Sequence, residues 1–162
     1  MVTYEMIKDK LNKLNITVEV VEHEPAVTIE LADKFIEGIE GVRTKTLLFT
    51  NKKTPEAYLL VMDDGKRIDM KKFKAIVGSK HISMASEEAL FEKMKLTPGV
   101  VSPFGLLNNE DGNIKVYIDK EIMSEERMSF HPNTNEKTLF IPSEDIVKFI
   151  GSIGYEVEII EL

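Results

Sequence analysis

Segment 96–107 combines residue types that hold a backbone in a fixed shape, because two prolines and two glycines stand within eight residues. Pro98 and Pro103 fix φ, while Gly99 can adopt positive φ and let a ligand approach the main chain. Such a loop can direct several N–H groups at one point, as the binding of a phosphate or a carbonyl requires. The alternative is an ordinary turn between two helices.

Three histidines are the other side chains suited to acid–base chemistry. His131 stands in a polar loop just before a predicted strand, with Asn135 and Thr138 nearby to hydrogen-bond a ligand. The alternative for His131 is an ordinary Asn-rich turn. His23 precedes a proline at a strand end, and His81 lies in a polar–apolar alternation, so we expect structural roles for both.

The composition excludes several classes of protein. The 162 residues are 43% hydrophobic and 30% charged, which predicts one globular domain over residues 1–162. The absence of cysteine excludes disulfides, a thiolate nucleophile and a Cys-based zinc site. No P-loop, nucleophile elbow or H-E-x-x-H motif is present, so we expect neither a metal nor a cofactor. Without a bilayer-length apolar run or a signal peptide, we expect a cytoplasmic protein with no membrane partner.

The charge of the chain is unevenly distributed. The net charge is −7, yet residues 42–80 hold ten Lys/Arg against four acids. That local charge of +6 leaves −13 for the remainder. A basic face on an acidic protein is typical of a phosphate-bearing partner. The alternative is a solvated lysine-rich surface.

The hydrophobic patterns predict an α+β fold, with a mixed, mostly antiparallel sheet flanked by helices. We expect caps at Thr3, Asp69 and Ser86 to begin three helices, and Gly78 to end the second. The predicted helices begin near residues 4, 28, 70, 87 and 143. The predicted strands are residues 17–22, 46–50, 57–62, 114–118, 138–141 and 155–160, of which the second and third form a hairpin.

Six sequence blocks in a fixed order carry a resemblance to a known family. The chain resembles the YbaK/prolyl-tRNA-synthetase-associated editing domains, in particular the free-standing prolyl-tRNA-editing proteins of the ProX/PrdX type. The resemblance spans roughly residues 23–150 and implies a YbaK-like fold. The blocks are HEPAVT at 23–28, TKTLLF at 44–49, YLLVM at 58–62, ASEE at 85–88, TPGVVSPFGL at 97–106 and HPNTNEKT at 131–138.

The resemblance implies catalytic roles for four residues. Lys45 matches the lysine that meets the 3′-terminal phosphate or adenosine. Gly99 and Pro103 match the G-x-x-x-P loop, whose backbone amides hold the substrate carbonyl. His131 matches the histidine that lines the amino-acid pocket.

Substrate-binding positions follow from the same resemblance: Thr28, Thr46, Val100, Val101, Ser102 and Asn135. Thr46 departs from the family pattern, because many relatives carry asparagine or serine after the lysine. Its β-branched side chain with a single hydroxyl implies a different pocket size or substrate choice.

The implied activity is hydrolysis of a wrongly charged aminoacyl-tRNA, typically alanine on the tRNA for proline. The implied partners are the acceptor end of that tRNA and prolyl-tRNA synthetase, with no DNA. Two alternatives stay open. One is a non-catalytic sensor that binds an amino acid or a charged tRNA to regulate proline metabolism, and the other is a docking module that recruits a synthetase.

Overall fold

The computed structural model describes residues 1–162 as eight strands, six α-helices and one 3-10 helix. The helices are α1 (Tyr4–Lys13), α2 (Ile29–Phe35), α3 (Met70–Val77), α4 (Glu87–Met94), α5 (Lys120–Met123) and α6 (Ser143–Ser152), with the 3-10 helix at Pro103–Asn108. The strands are β1 (Glu19–Glu22), β2 (Val42–Asn51), β3 (Ala57–Asp63), β4 (Ile82–Met84), β5 (Ile114–Asp119), β6 (Arg127–Phe130), β7 (Lys137–Pro142) and β8 (Val157–Ile160).

The strands form one mixed sheet in the order β1-β7-β6-β2-β3-β5-β8, and β4 pairs with β2. Four of the seven strand pairings are antiparallel, including the predicted β2–β3 hairpin. The parallel pairings are β2–β6, β3–β5 and β5–β8. The prediction of an α+β fold with a mixed, mostly antiparallel sheet is confirmed.

Strand β3 reads as a continuous apolar run because both of its faces are covered. Leu59 and Val61 join the larger core, beneath helices α1, α4 and α6. Leu60 and Met62 point the other way, into a smaller core where Phe73 of α3 packs against the sheet. A strand buried on both faces gains from apolar residues at every position.

The predicted helix caps are confirmed. The side chains of Thr3, Asp69 and Ser86 accept hydrogen bonds from backbone N–H groups in the first turns of α1, α3 and α4. Helix α3 ends at Gly78, which has φ +83°. Each cap satisfies a donor that a helix terminus would otherwise leave unpaired.

Some elements differ from the sequence prediction. Strands β4 and β6 and helix α5 have three or four residues each, which is too short for a hydrophobic period to be visible. Helix α2 begins at Ile29, one residue after the predicted start, with Thr28 as its cap. It buries Ala32, while Leu31 and Phe35 are half-buried. No helix has both the length and the apolarity that crossing a bilayer requires.

Candidate active site

The sheet has an opening along one edge of β2. Strand β6 pairs with β2 only at Val42 and Arg43, and β4 pairs with it only at Phe49–Asn51. No strand covers residues 44–48 on that side, although β3 pairs with all of them on the other. A cavity of about 370 Å³ occupies this opening, bounded by β2, the start of α2, α4 and the proline-glycine loop.

Six of the ten predicted site residues line this cavity, although they come from four separate parts of the chain. They are Thr28, Lys45, Thr46, Gly99, Val101 and His131. Thr28 caps α2, with its hydroxyl accepting a hydrogen bond from the Leu31 N–H. The fold therefore brings the lysine, the glycine and the histidine of the resemblance into one cavity.

The other four predicted residues do not line the cavity. Val100 packs against the larger core, and Pro103 is buried as the first residue of the 3-10 helix. Asn135 contributes its carbonyl, which accepts a hydrogen bond from the Ala26 N–H at 2.9 Å. Ser102 is fully buried. Of these four, Asn135 holds in place Ala26, which itself lines the cavity.

A hydrogen bond joins the proline-glycine loop to the loop that carries His131. The Ser102 hydroxyl donates to Asn133 Oδ1 at 3.0 Å and accepts from the Phe104 N–H at 3.2 Å. Asn133 has φ +59°, and its N–H donates to the His131 carbonyl at 2.8 Å. Its Nδ2 is buried without a partner. Ser102 thus sets the spacing of the two loops, and the sequence reasoning did not assign Asn133 a role of its own.

Gly99 gives the proline-glycine loop its conformation at the cavity. Its φ is +93°, a region that side-chain-bearing residues adopt only with strain, and no atom would lie within 4 Å of an added Cβ. The glycine is therefore required by the backbone conformation and not by crowding.

His131 presents a neutral imidazole to the cavity. Burial lowers its pKa most, and the nearby His23 ring lowers it further, whereas the hydrogen bond to the Lys137 carbonyl and the charge of Asp33 raise it. Nδ1 lies 3.3 Å from the Lys137 carbonyl, which can only accept, so Nδ1 carries the proton. Nε2 is then left as a hydrogen-bond acceptor.

A second, smaller cavity of about 30 Å³ lies beyond His131 and contains two acids that the sequence reasoning missed. Burial raises the pKa of Asp64 to about 7, and a hydrogen bond to Asp33 and the charges of Asp33 and Asp63 add to this effect. The Lys45 ammonium acts in the opposite direction. The smaller cavity therefore contains a carboxyl, that of Asp64, which changes its charge near neutral pH.

His23 has a structural role, as predicted. Its Nδ1 donates to the Glu24 carbonyl at 2.8 Å, which leaves Nε2 to accept from the Thr138 hydroxyl at 2.9 Å. The ring stacks on Phe35 of α2 with centroids 4.9 Å apart. His23 therefore connects α2 with β7 through these contacts, and it does not line the cavity.

Six of the ten cations of the basic segment 42–80 fall into three groups. Arg43 donates to the carbonyls of three residues between α2 and β2, and Lys66 bonds the buried Asp119, Glu121 and the Leu162 carbonyl. Lys45 lines the cavity. A third group lies around a shallow groove at the end of α3: Lys71, Lys74 and Lys80. No cluster of three or more His, Cys, Asp or Glu is arranged to hold a metal ion.

Comparison with solved structures gives the class of fold. The chain superposes on a protein described as a candidate trans-editing enzyme for prolyl tRNA synthetase with a TM-score of 0.76. The match covers 100% of this chain and 99% of the other at 19% sequence identity. The molecule thus has the fold of that protein.

Sequence comparison then gives the family. The model of the aminoacyl-tRNA editing domain matches residues 23–149, and the chain belongs to this family. It is 37% identical over 154 residues to Prolyl-tRNA editing protein ProX of Acetoanaerobium sticklandii, covering 94% of this chain and 93% of that protein. It is 30% identical to Prolyl-tRNA synthetase associated domain-containing protein 1 of Mus musculus, covering 93% and 90%. The predicted family is confirmed.

Proposed function

We propose that the protein is a trans-editing deacylase that hydrolyses the ester between a wrong amino acid, foremost alanine, and the tRNA for proline. One observation carries the proposal: Lys45, Gly99 and His131, far apart in sequence, line a single cavity. The name of the Acetoanaerobium sticklandii relative supports proline as the amino acid of the tRNA.

The proposed reaction is attack of water on the ester carbonyl. An aminoacyl ester is already reactive, so no strong nucleophile is required, and Ser102 is buried with its hydroxyl engaged. The backbone N–H groups of Gly99, Val101 and Ser102 in the G-x-x-x-P loop would stabilise the developing oxyanion, because the Val100 N–H bonds Thr97 O and Pro103 has no N–H. One such donor contributes roughly 3–4 kcal/mol of transition-state stabilisation.

His131 and Lys45 would act on different parts of the substrate. The Nε2 lone pair of neutral His131 would accept a hydrogen bond from the attacking water or from the substrate amine. The Lys45 ammonium would contact the 3′-terminal phosphate or adenosine at the acceptor end. Because phosphate contacts release counterions, binding would weaken as salt rises.

Discrimination would depend on size. Ten of the 17 residues around the cavity are hydrophobic. A pocket of fixed size admits a small side chain and rejects a larger one that does not fit. The alanine side chain would fit in the cavity, and the larger proline ring would be excluded.

The test is deacylation of alanyl-tRNA for proline by the purified protein, with prolyl-tRNA as the comparison substrate. We expect turnover of the alanyl ester only, and a large loss in Lys45→Ala. Lys53→Ala is the matched control, because Lys53 is an exposed lysine between β2 and β3 that does not line the cavity.

Turnover that Lys45→Ala leaves intact would contradict the assigned role of the lysine. Binding of alanyl-tRNA without turnover would instead favour the regulatory sensor. Prolyl-tRNA synthetase as a partner would be tested by adding it to the same reaction and measuring the deacylation rate.

A further inference from the structure

Successive residues of β2 direct their backbone N–H and C=O groups to alternate edges of the strand. Several hydrogen bonds show which residues face β3 and which face the other edge. Arg43 O accepts from the Asp64 N–H, and Asn51 N–H donates to Glu56 O, so odd-numbered residues bond toward β3. Leu48 O accepts from the Ala85 N–H on the opposite edge. Since the direction alternates in an antiparallel strand, the N–H and C=O of Thr46 also point to that opposite edge.

At Thr46, the edge of β2 that faces away from β3 borders the cavity, and no strand pairs with β2 there. Thr46 pairs only with Val61 of β3, and its N–H and C=O have no partner in the protein. Five consecutive residues, 44–48, line the cavity. Because successive side chains point to opposite faces of a strand, such continuous lining requires the cavity to touch the backbone edge.

Thr46 is also well shielded from solvent, being only 7% exposed. Buried backbone donors and acceptors are nearly always paired, so an unpaired N–H and C=O of one residue, facing a cavity, point to a ligand. That ligand must offer one acceptor and one donor at the spacing found in a single amino-acid residue.

We infer that the backbone N–H and C=O of Thr46 bind the aminoacyl group of the substrate. The two hydrogen bonds are those that join a pair of residues on neighbouring antiparallel strands. The Thr46 carbonyl accepts from the substrate α-ammonium, and the Thr46 N–H donates to the ester carbonyl oxygen. This inference rests on the proposed function and specifies its ligand: an ester of an α-amino acid with a free amine.

The pairing also orients the substrate. In a hydrogen-bonded antiparallel pair, the two side chains lie on the same face of the sheet. The side chain of the substrate would therefore lie beside that of Thr46, on the face that also carries Leu48. An L-amino acid satisfies both hydrogen bonds in this orientation, whereas a D-amino acid would direct its side chain away from that face.

Two variants of Thr46 test the backbone contact. Thr46→Pro removes the N–H that faces the cavity and no bond to β3, so the β2–β3 ladder is retained. Thr46→Val changes the side chain and keeps the N–H. We expect kcat/KM for alanyl-tRNA to be about 10²–10³-fold lower in Thr46→Pro than in Thr46→Val, the loss typical of one oxyanion donor. Equal kcat/KM values in two folded variants would overturn the inference.

Amide hydrogen exchange of the unaltered protein provides a second measurement, which also decides the question if Thr46→Pro does not fold. The ligand is alanyl-adenosine with an amide in place of the ester. At nine-tenths saturation, exchange of the Thr46 amide should slow about tenfold, since only the free protein exchanges. The internal control is the amide of the exposed Lys53, in the turn between β2 and β3 and outside the cavity, which can exchange without unfolding of the sheet. Bound ligand with unchanged Thr46 exchange would overturn the inference.

The two measurements separate this inference from the proposed function. Protection of Thr46 in a protein that does not hydrolyse alanyl-tRNA would support the inference and reject the editing reaction. Hydrolysis by the wild-type protein, with no protection of Thr46, would support the reaction and reject the inference.

Discussion

Substitution of Gly99 by alanine should impair catalysis far more than it impairs stability. Gly99 and Gly78 have similar positive φ values, +93° and +83°, and neither has an atom within 4 Å of an added Cβ. Alanine at either position meets no steric clash and costs only backbone strain, about 1–2 kcal/mol. For a chain of this size, that loss corresponds to a fall in Tm of about 2–8 °C.

The two glycine variants should differ in activity. Strain at Gly99 is relieved when the loop rotates, which turns its N–H groups away from the substrate carbonyl. The loss of one such donor lowers kcat by about 10²–10³-fold. Gly78→Ala places the same strain at the end of α3, away from the cavity, and serves as the matched control.

Ser102→Ala should reduce stability more than it reduces catalysis. The substitution removes the cap on the Phe104 N–H, at a cost of about 0.5–2 kcal/mol. It also leaves the partly buried Asn133 Oδ1 without its donor, at a cost of about 1–3 kcal/mol. We therefore expect a larger fall in Tm than in Gly99→Ala and a smaller fall in kcat.

Thermal denaturation followed by circular dichroism, and single-turnover deacylation of alanyl-tRNA below the lowest Tm, measure the two effects separately. Full activity in Gly99→Ala would refute the role of the loop amides. Loss of all turnover in Ser102→Ala at unchanged Tm would require a serine mechanism instead.

Two further predictions concern stability. The raised pKa of Asp64 means that its contribution to stability is present below the ordinary value of 3.8 and is lost as pH rises through about 7. Asp64→Asn should therefore raise Tm more at pH 8 than at pH 5, and an equal change at both pH values would contradict the raised pKa. Gly105→Ala would place its Cβ 2.5 Å from Leu96 Cδ1 and 2.9 Å from Met94 Cε, so it should lower the free energy of unfolding by about 1–3 kcal/mol in urea titrations. Unchanged stability there would mean that both side chains move aside freely.

The sequence predicted the elements whose signals are local. The caps at Thr3, Asp69 and Ser86, and the apolar run of β3, depend on neighbouring residues and were visible in the pattern. Strand β4 exists because it pairs with residues 49–51 of β2, more than thirty positions away. No local pattern of three residues encodes such a pairing.

The candidate site was predictable in part, and chiefly through the resemblance. Lys45, Gly99 and His131 could be named, but nothing in their spacing indicated that they share a cavity. Ser102 and Asn133 illustrate the remainder. Their hydrogen bond depends on how two distant loops pack, and the sequence alone therefore gave no reason to separate residues that line the cavity from residues that support it.

The short opening beside β2 also bears on how the protein avoids self-association. An exposed strand edge is normally a template for another chain, and long edges lead to aggregation. Here the part of this edge that pairs with no strand covers residues 44–48, a length of about 17 Å, and Leu48 O within it already accepts from the Ala85 N–H. It is closed at one end by β6 and at the other by β4, so an incoming strand cannot extend past either end. The molecule can thus keep backbone groups unpaired for a small ligand while giving a polypeptide too little length to join the sheet.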